Sequence, residues 1–526
     1  MIICGGKERG LKMENRNYQK YGQFLIIGVA IVLASVQFLF NRGFYQDEAC
    51  LAVSIVGRGF GGLLKPLEFG QSAPIGYLVV EKMLSMVIPA EYGLRVFPLL
   101  CFIASLFVLR KMALTLLENE TTVTVALALF AFNSQMIYRA TMAKQYSGDV
   151  FFSLLLVWAT LNMGEGVRAS PSATKWRVCC VAAVGAIGVW FSNALLIMLV
   201  VCGVYLAFRW AASRFTKTGF LRIAIVAAAW GASFGIYYAL FISGEHSVKE
   251  FMFDYWKHGN PSFMPLSGIG VMASFVALKL MILASFFYGW SSWFAVLACL
   301  FIIGLIFGNR RRHMAVIWFT FGGGLVALTL SAMELYPFYE RFLLFTLPFG
   351  NLPVAQGAAE VIARIRRPAI RAALICVIPV VAFVLAVAWF PIRHCEITDA
   401  ARFVKEHIEP GDIVLVERKP HFLYYKTLGK KVFAWDNATE AFDDSQIESY
   451  SSLVPEFIAA RTENLQGRVW ILASMAFPLW KAQCYDYKPD EKDAWMDDII
   501  NSIPSGTKLM EYRTTGAVAV LFDFGR

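Results

Sequence analysis

Phe24 to Phe40 reads FLIIGVAIVLASVQFLF, 17 residues without a charge. A run of that length and polarity matches the hydrocarbon core of a bilayer, which a helix crosses in about 20 residues. Lys7, Arg9, Lys12, Arg16 and Lys20 precede it, and no small-residue cleavage site follows, so it reads as a retained first span rather than a cleavable signal. Further runs of this kind recur at about 93–109, 121–138, 147–163, 178–191, 194–208, 221–242, 291–308, 314–333, 341–358 and 372–390. The sequence therefore predicts a polytopic α-helical membrane protein of about 11 transmembrane helices. Composition agrees: 58% of the 526 residues are hydrophobic, 16% are charged, and the mean hydropathy is +0.56.

Two apolar stretches fit a crossing less well. Pro74 to Ile88 is short and carries Glu81 and Lys82, and the run 268–289 contains Lys279; both read as interfacial or re-entrant helices. Between 178 and 208, Ser192 and Asn193 interrupt a run with basic flanks, which predicts two short helices, out and back.

The net charge of +10 does not point to nucleic acid. The basic residues sit in short connections: Arg110 and Lys111; Arg168, Lys175 and Arg177; Arg209, Arg214, Lys217 and Arg222; Arg310 to Arg312; Arg364, Arg366, Arg367 and Arg371. That is the positive-inside pattern, with membrane lipids as the partners of those charges. It places residues 1–22 in the cytoplasm and, with an odd number of spans, residues 393–526 outside. The predicted organisation is a cytoplasmic segment 1–22, a transmembrane domain 23–392 with an outer loop 41–92, and an extracytoplasmic domain 393–526. In this last segment a helix near 398–408, a Pro410-Gly411-Asp412 turn and short apolar strands at 413–417, 432–435, 469–473, 508–512 and 517–522 predict a soluble α/β domain. Cys395 and Cys484 lie in it, and spacing alone leaves their pairing open.

Three polar clusters share the predicted outer face. Asp47 and Glu48 follow the first span; they read either as a solvated helix N-terminus, which favours acids, or as a general base and cation ligands. Tyr138, Arg139, Lys144, Gln145, Tyr146 and Asp149 form a basic turn against the positive-inside trend. Either the topology differs there, or the cations serve an anionic partner such as a lipid phosphate. Glu334 to Arg341 reads ELYPFYER, an aromatic belt with a cation on the outer side.

In order and spacing these segments resemble the GT-C superfamily of membrane glycosyltransferases, in the group that includes protein O-mannosyltransferases and the lipid A aminoarabinose transferase. The similarity lies in Asp47-Glu48 after span one, in Gln71-Ser72-Ala73-Pro74-Ile75-Gly76-Tyr77-Leu78 with Glu81-Lys82, in Glu91-Tyr92-Gly93-Leu94-Arg95-Val96-Phe97-Pro98, in Tyr138-Arg139 through Lys144-Gln145-Tyr146-Ser147, and in Tyr339-Glu340-Arg341-Phe342 leading to Pro348. It covers roughly residues 20–360. The resemblance implies a polyprenyl-phosphate-linked sugar donor and an envelope lipid, polysaccharide or protein acceptor, joined on the extracytoplasmic face of the cytoplasmic membrane. By it Asp47 and Glu48 are the catalytic candidates. Arg139, Lys144, Tyr339 and Arg341 are candidates for the donor phosphate, and Gln71, Tyr77, Arg95 and Tyr146 for other substrate contacts. A divalent cation on Asp47 and Glu48 is the one cofactor left open; some relatives carry an acid where Gln71 stands, which weakens it. A transporter or flippase, or a noncatalytic subunit of an envelope assembly complex, is the alternative, though the sequence shows no internal repeat of the kind transporters use.

Overall fold

The structure is a computed structural model, and it describes residues 3–117, 119–164, 171–243, 253–289, 293–308, 312–388, 390–393, 396–417, 447–450, 466–474 and 497–525, apart from a few single positions in the last stretch. Each of the eleven predicted spans is a helix. Among the described residues seven helices are long and apolar enough to cross a membrane by themselves, or eight when the bent pair Glu120–Ala131 and Ser134–Ala140 counts as one. Their outward surfaces confirm the solvent they are built for. The Pro368–Val387 helix exposes Ile370, Val377, Val380 and Val384, a surface that water would penalise and hydrocarbon does not.

Departures from simple rods have local causes. The span expected over 121–138 bends by 57° at 132–133. Asn133 ends the first half and caps the second by accepting from the Met136 amide at 3.2 Å, while its own amide donates to the Phe287 carbonyl at 2.7 Å. The out-and-back pair is present as Pro171–Gly188 and Leu195–Ala212, with the Ser192 hydroxyl accepting from the Leu195 amide at 3.1 Å. The span expected at 341 starts later: Glu340–Thr346 is a 3-10 turn, and the helix runs Leu347–Ala363 with Pro348 in its first turn, where a missing N–H costs nothing.

The run with Lys279 is a continuous helix, Ile269–Tyr288, long and apolar enough to cross. The sequence predicts an interfacial or re-entrant segment here, and the helix found is of spanning length. Lys279 lies 5.9 Å from the Tyr339 ring and Phe286 lies 4.8 Å from Arg139, so about 10 Å of this helix's axis runs beside the turns that carry Arg139 and Tyr339. Ile75–Val87 is the helix expected from the Pro74–Ile88 stretch.

Two compact units are present, and they do not follow chain order. One comprises residues 1–36, 73–77 and 97–390; the other comprises 37–72, 78–96 and 391–526. The second therefore joins the first outer loop to the C-terminal segment. The Gln37 side chain exchanges two hydrogen bonds with the Ile392 backbone, at 2.8 and 2.9 Å, and the Gly43 amide donates to Glu396 at 2.8 Å.

The C-terminal part of that unit is an α/β domain with a five-stranded sheet: β1 Ile413–Glu417, β2 Ile447–Tyr450, β3 Arg468–Ser474, β4 Thr507–Thr514 and β5 Ala517–Asp523, in the order β2-β1-β3-β5-β4. β1 pairs in parallel with β2 and β3, while β5 is antiparallel to β3 and β4. Leu415, Val469, Ile471, Val518, Val520 and Phe522 form its core. The Ile397–His407 helix lays Phe403 against Trp470 and Tyr512. Gly411 in the predicted turn has φ +95°, which an L side chain rarely adopts. The strand expected at 432–435 and both Cys395 and Cys484 lie outside the described residues, and β2 is a strand that hydropathy did not single out.

The tightest helix crossing joins Trp293–Phe307 to Leu347–Ala363. A Cβ at Gly304 would collide with the Pro353 carbonyl, and one at Gly357 with the Leu300 carbonyl. Small residues let the two backbones touch, the means of association left to helices once hydrocarbon surrounds them. Gly304→Val should therefore cost about 3 kcal/mol of stability and lower the melting temperature of the detergent-purified protein, whereas Gly324→Val, whose Cβ meets no atom, should not.

Candidate functional site

The acidic pair opens the Gln46–Gly57 helix, and its two members have different fates. Neighbouring residues on a helix point about 100° apart. Glu48 faces inward and is fully buried; Asp47 stays partly exposed. Glu48 accepts from the Tyr45 amide at 2.9 Å, the carboxylate half of a capping box, and its two oxygens lie 2.7 Å from Arg42 and 3.8 Å from Arg95. Burial alone would raise the Glu48 pKa, but the Arg42 and Arg95 guanidiniums and the Arg42 and Tyr45 hydrogen bonds outweigh it and hold the carboxyl below the usual 4.5.

Arg95, a substrate candidate from the sequence, is spent inside the same network. It is 1% exposed, donates to the Asn41 side chain at 2.9 Å and the Arg42 carbonyl at 2.8 Å, and lies 4.4 Å over the Phe44 ring. These contacts tie Arg95 to the loop that carries Asp47. Gln71 closes the short turn Glu68–Gly70, half-buried, and Glu68 pairs with Arg58 at 3.1 Å. A divalent cation does not fit this donor set. Both Glu48 oxygens are committed to guanidiniums, and among the described residues no group of three His, Cys, Asp or Glu is arranged to hold a metal.

The basic candidates lie in the other unit, where the structure brings the second and third sequence clusters together. The bend at Asn133 sets the short helix Ser134–Ala140, so that Arg139 is 94% buried among the rings of Phe286 (4.8 Å), Tyr138 (5.7 Å) and Tyr146 (5.9 Å). Its Nη1 donates to Gln135, its buried Nε has no hydrogen-bond partner, and among the described residues it pairs with no carboxylate. Lys144, in the turn that follows, is 5% exposed. The Tyr146 ring stands 6.5 Å from Phe342, and the Glu340–Thr346 turn packs on the Tyr146–Gly164 helix, so the two turns meet there.

On the far side of that contact Tyr339 is 2% exposed, with the Arg341 guanidinium 5.1 Å over its ring and Trp256 4.9 Å away. Three members of this cluster were not site candidates in the sequence. Lys279 donates to the Ser262 hydroxyl at 3.3 Å and faces Tyr339; Glu340 is 3% exposed; Trp256 packs on both Tyr339 and Phe342. A lysine inside an otherwise apolar run is costly, and that cost was the available signal for Lys279. Burial raises the Glu340 pKa, with its own backbone amide, Arg341, Lys279 and Tyr339 opposing. Arg139, Lys144, Lys279 and Arg341 thus gather around these two turns. Four cations in low dielectric suit an anion with several oxygens.

Tyr77, another substrate candidate, is fully buried with its ring 6.0 Å from Phe97. Next to it the Gly76 amide donates to the Trp190 carbonyl at 2.8 Å, and a Cβ there would stand 2.6 Å from that oxygen, so this stretch is packed directly against backbone.

No protein-family model and no curated protein matches the sequence. Solved structures do match in fold. ArnT from Cupriavidus metallidurans bound to undecaprenyl phosphate superposes with a TM-score of 0.53 at 12% identity, covering 95% of this chain and 97% of that one. The same protein in the apo state gives 0.50 over the same shares at 12% identity. The Archaeoglobus fulgidus oligosaccharyltransferase in the apo form gives 0.50 at 12% identity, covering 96% of this chain and 74% of that one. The chain has the fold of GT-C membrane glycosyltransferases, as the sequence resemblance implied, and it has it over nearly the whole length.

Separating the two acids is a direct test of the loop. Glu48→Gln strands two buried guanidiniums and should cost about 3–5 kcal/mol, read as a lower melting temperature, while Asp47→Asn should melt as wild type. Because the folded Glu48 pKa is depressed, its contribution is present above the unfolded value of 4.5 and is lost as pH falls toward the folded one. A melting profile that does not distinguish the two variants would contradict this assignment.

Proposed function

We propose that the chain is a glycosyltransferase of the cytoplasmic membrane, moving a sugar from a polyprenyl-phosphate donor to an envelope lipid, polysaccharide or protein on the extracytoplasmic face. The observation that carries this reading is the cation cluster, above all buried Arg139, which pairs with no carboxylate among the described residues. A buried charge of this kind is retained where a ligand completes it. The bound undecaprenyl phosphate of the ArnT structure, at the same fold, fits such an occupant.

In this reading Asp47 is the general base. It takes the proton of the acceptor hydroxyl as that oxygen forms a bond to the anomeric carbon, and the bond from that carbon to the phosphate oxygen breaks. The electron pair leaves on the phosphate, where Arg139, Lys144 and Arg341 stabilise the charge and Tyr339 positions the group. Electrostatic stabilisation of this kind removes the need for a general acid. Glu48 serves Asp47 by fixing the helix start rather than by touching the substrate. Tyr146, between the two basic turns, lies against the donor's phosphate-proximal portion, and the domain beyond residue 393 belongs on the acceptor side.

Purified protein given isotope-labelled polyprenyl-phosphate sugars and an envelope extract should transfer label, and lipid and glycan mass spectrometry of a deletion strain should show which sugar is lost. Asp47→Asn should lower transfer by about 10²–10⁴-fold with the fold intact. Wild-type transfer in that variant would remove Asp47 from the chemistry.

A further inference from the structure

A second basic feature lies at the other end of the bundle and plays no part in the reaction above. The His313–Ala332 helix has Arg312 at its N-cap, and its far end bonds through Ser331 to the Ser262 carbonyl, beside Lys279. Twenty residues of helix separate these points by about 30 Å. At the Arg312 end a cavity of about 610 Å³ opens between this helix, Leu195–Ala212 and the ends of Ala90–Leu116 and Tyr146–Gly164.

The chemistry of the cavity is divided. Arg209, in the last turn of its helix, and Arg312 bring two guanidiniums to it, while Leu116, Leu161, Tyr205 and Trp318 give it apolar walls. Those walls are braced: the Trp318 indole donates to the Val201 carbonyl at 3.0 Å and stacks edge-on to Phe208 at 5.7 Å. Phe208 and Met314 on its border are 62% and 74% exposed, so the apolar surface continues outward toward hydrocarbon. The adjoining connection adds Arg214, Lys217 and Arg222.

We infer that this cavity binds an anionic phospholipid of the inner leaflet, its phosphate on Arg209 and Arg312 and part of an acyl chain along Leu161, Tyr205 and Trp318. The positive charge selects the headgroup, and the apolar, outward-continuous walls select a lipid over a soluble anion. Basic pockets between helices on this side of a membrane hold anionic headgroups by the same physics. The occupant would bridge the His313–Ala332 and Leu195–Ala212 helices, and the inference is independent of the transferase reading.

The test uses full-length protein in neutral detergent, with native mass spectrometry and melting temperature as readouts. Dioleoyl phosphatidylglycerol should bind and raise the melting temperature, dioleoyl phosphatidylcholine should do neither, and millimolar inorganic phosphate should not displace the bound lipid. The double variant Arg209→Gln, Arg312→Gln should bind phosphatidylglycerol about thirtyfold more weakly. Ala315→Trp, which fills the cavity and keeps both arginines, should lose binding as well, so the result does not hang on one variant's folding. Equal binding of the two lipids, unchanged binding in the variants, or full displacement by phosphate would overturn the inference.

Discussion

Glu48 can remain a buried carboxylate only because Arg42 and Arg95 stand beside it, and much of the outer loop is arranged to make that so. Removing an ion from water costs several kcal/mol even after relaxation. Here the cost is offset by two guanidiniums, a backbone amide and the hydrogen bonds that hold the guanidiniums themselves, to Asn41, the Arg42 carbonyl and the Gly43 carbonyl. The same loop is tied to the C-terminal segment through Gly43 and Glu396. One buried acid thus helps set where the Gln46–Gly57 helix starts, and with it the partly exposed position of its neighbour, Asp47.

The opposite electrostatic situation holds around Arg139. There a guanidinium is buried among aromatic rings with an amide oxygen for company and, among the described residues, no carboxylate. Aromatic faces recover part of the lost hydration, and Tyr138, Tyr146 and Phe286 supply them, but they do not neutralise the charge. Charge is thus used in two ways: at Glu48 a buried carboxylate faces two guanidiniums, while Arg139 pairs with no carboxylate among the described residues. This contrast, more than any single motif, supports chemistry on a phosphate.

Much of the fold was legible in the sequence because hydrocarbon imposes a one-dimensional code. Apolar runs marked the helices, though Lys279 made the spanning-length helix Ile269–Tyr288 read as interfacial, and Ser192 and Asn193 marked a turn that the Ser192 hydroxyl then capped. Strands β1, β3, β4 and β5 fell where alternation and Gly411 put them. What stayed hidden depends on pairs distant in the chain. Nothing local distinguishes Glu48 from Asp47 as the buried member, since its partner Arg95 is supplied from another helix. The bend at Asn133 rests on a bond to Phe287, far along the chain. Lys279 was visible as an anomaly in an apolar run, but its place beside Tyr339 and Glu340 was not. Arg95 and Tyr77, two of the candidate substrate residues, are buried, Arg95 beside Glu48 and Asn41 and Tyr77 beside Phe97, and a motif does not record which way a residue faces.

Equilibrium binding of a polyprenyl monophosphate to wild-type protein and to Arg139→Gln tests most directly whether the buried cations hold an anion. Loss of a charge-assisted contact predicts affinity weaker by about 10–100-fold in a variant that still melts as a folded protein, with binding in the wild type reduced by salt. Equal affinity in a folded Arg139→Gln variant would contradict it.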